Sequence, residues 1–401
     1  MSPYLRSAIV LGLLCASGPL AIDMYLPALP RIAESLNGTM VGAQLTITAY
    51  FIAYGLAQMV YGPLADMFGR RPPLMAGLAL FLAGSLVCAL APDINWLVAG
   101  RIVQALGGAA AMVIPRAIIR DLHTGPRATR LMALVMLIIS VSPMLAPLAG
   151  SGVIALSGWR AIFLVLAVVA ALSITATLTL QPETLDPEHR VAVRLSAIGR
   201  GVRTLITDPV FMGLTFVGGF GMASFFVFLA SASFVYTGYY GLSSTGFSLA
   251  FALNAAGFFT ASQFAANLGD RLGVTRVIWL ATAGFLGVTL LLAGLVWVGI
   301  DQFAVLVALL IAANACLGLV IPTVMVLALD DHGDIAGLAS SLGGMLQMLC
   351  GGILTMLAGP FFDGTPLPMV AAIALAAVLA FAALGLSGAT RGRGRGDALM
   401  A

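Results

Sequence analysis

The chain has 401 residues, 61% hydrophobic and 9% charged, with a formal net charge of +3. Soluble domains carry about 25% charged residues, so this composition excludes a soluble globular protein. All 19 basic residues are Arg, which excludes a Walker A phosphate loop, whose Lys follows its second Gly.

Apolar segments of about 20 residues, separated by Gly, Pro or charge, predict twelve membrane-spanning helices. They fall at 5–29, 42–65, 73–91, 95–119, 131–156, 160–180, 210–236, 242–265, 275–298, 302–328, 336–359 and 367–387. The first segment begins like a secretory signal, with Arg6 ahead of an apolar run. That run is longer than the ~7–15 residues of a signal core, contains Asp23 and lacks a clear cleavage site, so it reads as the first span. Pro115, Pro143 and Pro147 fall inside spans four and five, where neighbouring helices re-satisfy freed backbone groups.

The segment 181–209 is long and polar. It predicts four parts: a six-helix bundle over 1–180, a cytoplasmic linker over 181–209, a second six-helix bundle over 210–388, and an Arg-rich cytoplasmic tail over 389–401. With the N-terminus in the cytoplasm, fifteen Arg fall inside and two, Arg31 and Arg160, fall outside. The positive-inside rule then puts both termini in the cytoplasm of a multi-pass inner-membrane protein. Short matches recur between the halves. Leu64-Ala65-Asp66-Met67-Phe68-Gly69 corresponds to Leu268-Gly269-Asp270-Arg271-Leu272-Gly273, and Val113-Ile114-Pro115 to Val320-Ile321-Pro322. The expected fold is therefore an all-α membrane protein of twelve helices in two pseudo-symmetric six-helix bundles.

Cys15, Cys88, Cys316 and Cys350 fall in apolar runs at no metal-ligand spacing, and His123, His189 and His332 fall in polar loops. No metal and no other cofactor is expected. With no His and no paired carboxylates at membrane depth, a membrane-embedded enzyme is disfavoured too.

The charges that break the apolar pattern are the candidates for chemistry. Asp23 lies about six residues inside span one, ~9 Å from its end, where a charge is costly and usually functional. Arg101 lies at a matched depth in span four and is its candidate partner. Desolvation favours the protonated form of a buried carboxylate, and a nearby Arg favours the charged form. Asp23 under both influences is poised to take up or release a proton. The stretch Gly62 to Arg71 is predicted as a short cytoplasmic turn. Gly69 permits the reversal, Asp66 is expected to pair with Arg116 or Arg120, and Arg70 and Arg71 to engage the carbonyl ends of neighbouring helices. Asp66, Gly69, Arg70, Arg116 and Arg120 are thus read as a cytoplasmic gate. Pro143, Pro147 and Gly150 place small or kinking residues along span five for close helix packing. Tyr25, Tyr50, Tyr54, Gln104, Phe225, Asn254, Asn314 and Gln347 supply a mostly apolar set with a few polar groups, which suits an amphiphilic small molecule.

Several of these motifs resemble a known family. Gly62 to Arg71 resembles the loop signature of the major facilitator superfamily. Leu97 to Gly108, with Arg101 and Gln104, resembles the span-four signature of its proton-coupled members. Asp23-Met24-Tyr25-Leu26-Pro27-Ala28-Leu29-Pro30 resembles the first-span signature of the twelve-span drug:proton antiporters. With Pro115-Arg116-Ala117-Ile118-Ile119-Arg120-Asp121 and Gly158-Trp159-Arg160, the chain is similar to the Bcr/CflA branch, the bicyclomycin and chloramphenicol exporters. The resemblance implies proton-driven drug efflux by alternating access. It implies that Asp23 and Arg101 couple protons and that Asp66 and Arg70 help close the cytoplasmic side. The expected partners are a small-molecule drug, protons and the bilayer, with no nucleic acid, and the expected state is a monomer. The alternative on the same fold is a proton-coupled importer of a nutrient or osmolyte. Two departures stand out: Ser142, where the antiporter signature has Gly, precedes Pro143, and Cys15 rather than an acid lies two helical turns before Asp23.

Overall fold

The computed structural model describes residues 3–122, 125–190 and 195–387; the tail 389–401 and Arg194 lie outside them. Among the described residues there are only helices. They are α1 (Pro3–Asp23), α2 (Leu29–Ser35), α3 (Met40–Phe68), α4 (Arg71–Ala89), α5 (Ile94–Gly108), α6 (Ala110–Leu122), α7 (Gly125–Ser157), α8 (Arg160–Leu180), α9 (Leu195–Thr207), α10 (Pro209–Phe234), α11 (Ser244–Leu272), α12 (Val274–Trp297), α13 (Phe303–Leu329), α14 (Ala336–Ala358) and α15 (Pro366–Leu386). Twelve stretches are long and apolar enough to cross a membrane, and they match the twelve spans read from the sequence.

Side chains set the starts of several helices. Thr39 Oγ1 accepts from Gly42 N at 3.0 Å to cap α3. Asp93 accepts from Asn95 N and Trp96 N at 2.8 and 3.0 Å to cap α5. Asp208 accepts from Val210 N at 2.8 Å to cap α10. Such caps satisfy N–H groups that have no partner within the helix. The internal prolines do not end their helices: Pro63, Pro115, Pro143, Pro147 and Pro322 all sit inside them.

Two boundaries differ from the sequence reading. The first span reaches Ser35 but is interrupted. Its α-helix ends at Asp23, a 3-10 turn covers Leu26–Ala28, and α2 resumes at Leu29. Pro27 and Pro30 lack the N–H that a continuous helix would need. The stretch Gly62 to Phe68 is not a turn, because α3 continues through it to Phe68. Only Gly69, at φ +92°, makes the reversal. The same form recurs after α11, where Gly273 has φ +85°, so the repeat seen in the sequence is a repeat in the backbone.

The described chain divides into two compact units. One comprises Met1–Arg194 and Tyr236–Ala252; the other comprises Leu195–Val235 and Leu253–Ala401. In the first unit α4 packs on α5 and α8, α3 on α5, and α1 on α7. The α4–α5 crossing is built on glycine. A Cβ at Gly84 would lie 2.6 Å from Gln104 Cα, one at Gly107 2.8 Å from Phe81 Cα, and one at Gly100 2.7 Å from Cys88 Sγ. Small residues two turns apart on each helix let the backbones close up. In the second unit α10 is the central helix, packed on α13, α14 and α15, and α12 packs on α13 and α15. Within the segment 181–209, Leu195–Thr207 forms α9, which packs on α10 and α14.

The segment Tyr236–Ala252 joins the first unit through hydrogen bonds to α7. Ser248 Oγ donates to Pro147 O at 2.9 Å. Ser151 Oγ lies 2.9 Å from Ser248 Oγ and 3.0 Å from Ser244 O. Gly150, one residue before Ser151, packs against the backbone of Met24, where a Cβ would lie 3.0 Å from Met24 Cα.

Candidate functional site

Asp23 is the last residue of α1 and is 4% exposed. A carboxylate there faces the negative end of the helix dipole, so the site needs positive compensation. The predicted source is Arg101, fully buried on α5, but the predicted ion pair does not form. Among the described residues the ion pairs within 4.0 Å are Arg70–Asp66, Arg70–Asp121 and His332–Asp208. Arg101 Nη1 instead donates to Ala21 O at 2.9 Å and to Gln104 Oε1 at 2.6 Å. The guanidinium lies 4.7 Å from the Tyr25 ring centroid and 4.1 Å from that of Tyr50. Two aromatic faces and a helix-end carbonyl thus hold the cation, and that carbonyl, Ala21 O, belongs to α1 two residues before Asp23. Each desolvated cation–π contact is worth ~2 kcal/mol.

The surrounding groups fix this arrangement. Gln104 Nε2 donates to Ser85 Oγ at 2.8 Å, and Ser85 Oγ donates to Phe81 O at 2.7 Å. Tyr25 Oη is 2.7 Å from Thr46 Oγ1, and its ring packs at 5.5 Å on Phe163. Tyr50 stacks on Tyr54 at 5.7 Å and 19°. Among the described residues, Arg101 Nε and Nη2 and Tyr50 Oη are buried without a partner. Arg101 therefore keeps two nitrogens, Nε and Nη2, in reserve as donors. Ser85 was missed by sequence reading: a Ser in an apolar span carries no signal until α4 and α5 are known to touch.

The predicted gate residues are only partly brought together. Arg70 joins Asp66, one turn back on α3, and Asp121 at the end of α6, with Nε to Oδ2 at 2.8 Å and Nη2 to Oδ1 at 3.3 Å. Thr184 Oγ1 adds a bond to Asp121 at 3.1 Å. Arg71 Nη2 donates to Leu178 O at 2.8 Å, so it does engage a helix carbonyl end. The pairing of Asp66 with Arg116 or Arg120 does not form. Arg70, just past the Gly69 reversal, takes Asp66 four residues back in the chain, Arg120 is exposed, and Arg116 bonds Met112 Sδ at 3.9 Å.

Glu183, absent from the sequence reading, anchors the same turn. Its carboxylate accepts from Arg70 N and Arg71 N at 2.8 and 2.9 Å, and from Thr184 N and Leu185 N at 2.9 and 3.0 Å. Partial burial works against its charge, yet these backbone donors hold the carboxyl below the usual range. A Cβ at Gly69 would sit 2.6 Å from Glu183 Oε2, so Gly69 is required for space as well as for its positive φ. A loop carboxylate far along the chain shows no pattern that would single it out.

The remaining predicted residues lie in the second unit. Asn314 Nδ2 donates to Asn254 Oδ1 at 3.3 Å, and both residues are buried. Phe225 stacks on Phe258 at 6.3 Å and 25°. Gln347 lies against α10, where a Cβ at Gly218 would meet its Nε2 at 2.7 Å. These contacts are separate pairs within the second unit. Among the described residues no group of three or more His, Cys, Asp or Glu is arranged to hold a metal ion.

The family model described as Major Facilitator Superfamily matches residues 11–355. A Bacillus subtilis (strain 168) protein described as an uncharacterized MFS-type transporter, YdgK, is 34% identical over 388 residues, covering 94% of this chain and 93% of its own. A bicyclomycin resistance protein homolog of Haemophilus influenzae is 30% identical over 366 residues, covering 90% and 91%. A solved D-xylose-proton symporter superposes with a TM-score of 0.72 at 16% identity, covering 96% of this chain and 98% of that one. The resemblance drawn from the motifs is borne out, down to relatives of the Bcr/CflA type. The chain belongs to the major facilitator superfamily and is a multi-pass membrane transporter of twelve spans.

Proposed function

We propose that this chain exports amphiphilic antibiotics of the bicyclomycin and chloramphenicol type across the bacterial inner membrane, driven by protons and working by alternating access. The observation that carries the reading is the buried Asp23 at the break in span one, with the buried Arg101 bonded to the carbonyl of Ala21, two residues before it. The relative named for bicyclomycin resistance supports the substrate class. The orientation, with both termini cytoplasmic, follows from the Arg distribution, and the working unit is a monomer without a cofactor. The turn at Gly69, with Arg70, Asp66, Asp121 and Glu183, serves as the cytoplasmic closure.

The cycle follows from the charges. Ionised Asp23 draws on Arg101 Nε and Nη2, the donors that lack acceptors here, or on a cationic drug. A proton arriving from the periplasm neutralises the carboxylate and releases that hold. One charge moved through 100 mV is worth ~2.3 kcal/mol, which biases a two-state switch about fifty-fold. Aromatic and amide side chains supply the drug contacts.

Asp23→Asn is expected to abolish resistance and drug-induced proton release while the protein still inserts at normal levels. Undiminished efflux with proton release in that variant would sink the proposal. Drug accumulation in inverted vesicles separates an exporter, which loads them, from an importer, which does not.

A further inference from the structure

Arg116 lies on α6, about six residues before that helix ends at Leu122, or ~9 Å along its axis. Among the described residues its one hydrogen bond is to Met112 Sδ at 3.9 Å, one turn back on the same helix. Its buried Nε has no acceptor. Thioether sulfur is a weak acceptor, so among the described residues no oxygen answers this charge. The acidic groups at that end of the unit are engaged elsewhere, with Asp66 and Asp121 both on Arg70.

A guanidinium does not shed its proton, and a charge at membrane depth is costly unless it is paired. Arg101 meets that demand with Ala21 O, Gln104 Oε1 and two tyrosine faces. Arg116 does not. Helices α1 and α3, which carry Cys15 and Tyr54, both pack against α6. The residue keeps intermediate exposure, so a small molecule can reach it.

We infer that Arg116 is the docking point for an acidic group on the transported solute, a carboxylate or sulfonate, with the aromatic body of that solute beside Tyr54. The carriage of acidic amphiphiles extends the proposed export of antibiotics and rests on it only in treating the ligand as cargo. Binding measured without transport keeps failure of the two ideas apart.

The test uses full-length protein in phosphatidylcholine nanodiscs. Nalidixate and its uncharged ethyl ester are titrated by calorimetry at near-neutral pH. Wild type is expected to bind nalidixate about tenfold more tightly than the ester, a difference of ~1.4 kcal/mol. Arg116→Gln should lose that preference with the ester's affinity unchanged, which also certifies its fold. Arg116→Lys should keep part of the preference, because the charge remains while the bidentate fork is lost. A nalidixate-to-ester ratio near one in wild type, or an unchanged ratio in Arg116→Gln, overturns the inference. Repeating the titration in phosphatidylglycerol discs distinguishes a lipid phosphate as the occupant. If the preference vanishes there at equal salt, the site belongs to the headgroup and the solute assignment fails; if it persists, the assignment gains support.

Discussion

Glu183 has the same composition as any loop carboxylate, and its importance comes from where its neighbours end. Helices α3 and α4 meet at Gly69 with their backbone N–H groups at Arg70 and Arg71 pointing outward, and Glu183 accepts both. A carboxylate whose folded pKa is lowered contributes stability above its unfolded value, near ~4.3, and loses it as pH falls through the folded value. Glu183→Gln should therefore lower the thermal stability at pH 7 relative to wild type. The difference should shrink toward zero as pH is brought below about 4, read by thermal unfolding in detergent across that range. A constant difference at all pH values would show that charge is not what Glu183 supplies. Asp23 was legible from sequence for the opposite reason: a lone acid in an apolar run is visible without knowing any neighbour. Arg101 was legible as well, but its partners were not. Tyrosine faces and a main-chain carbonyl leave no charge pattern, so sequence reasoning supplied the carboxylate as a partner by default.

At the scale of elements, the twelve spans were readable because lipid demands long apolar helices. Their ends were not, because helices α3 and α11 run on into polar sequence as far as Phe68 and Leu272. Hydropathy ends where the lipid ends, whereas a helix ends where its backbone is capped or reversed. The helix contacts were equally hidden. The small residues of span five were legible, and Gly150 there does meet the Met24 backbone, while the comparably tight α4–α5 crossing was not foreseen. Gly84 and Gly107 there face backbone atoms that cannot move aside. Overpacking typically costs ~1–3 kcal/mol, and contact with backbone puts these sites at the upper end. Gly84→Val and Gly107→Val should each displace Gln104 and Arg101 and leave little monodisperse protein by fluorescence-detected gel filtration. Gly62→Ala, where a Cβ meets nothing within 4 Å, should match or exceed wild type. Equal yields from all three variants would remove the tight crossing as a structural requirement.

For the whole molecule, the sequence predicted a six-plus-six division with a single crossing of the chain near 181–209. The backbone repeat at Gly69 and Gly273 supports the pseudo-symmetry, yet the compact units follow a different cut. The chain passes between them at 194/195, 235/236 and 252/253. The serine contacts of Ser248 and Ser151 hold the segment Tyr236–Ala252 with α7, and no local pattern in the sequence marks those serines. That arrangement has a consequence for synthesis. As a ribosome feeds the chain into the membrane, the first six spans emerge well before the piece that completes their unit. The early product must wait through α9 and α10 for its last segment. In detergent, a chain stopped at residue 207 should therefore be cut more readily by protease than one stopped at residue 252. Translation rate between those two points then becomes a quantity to which the yield of folded protein is sensitive.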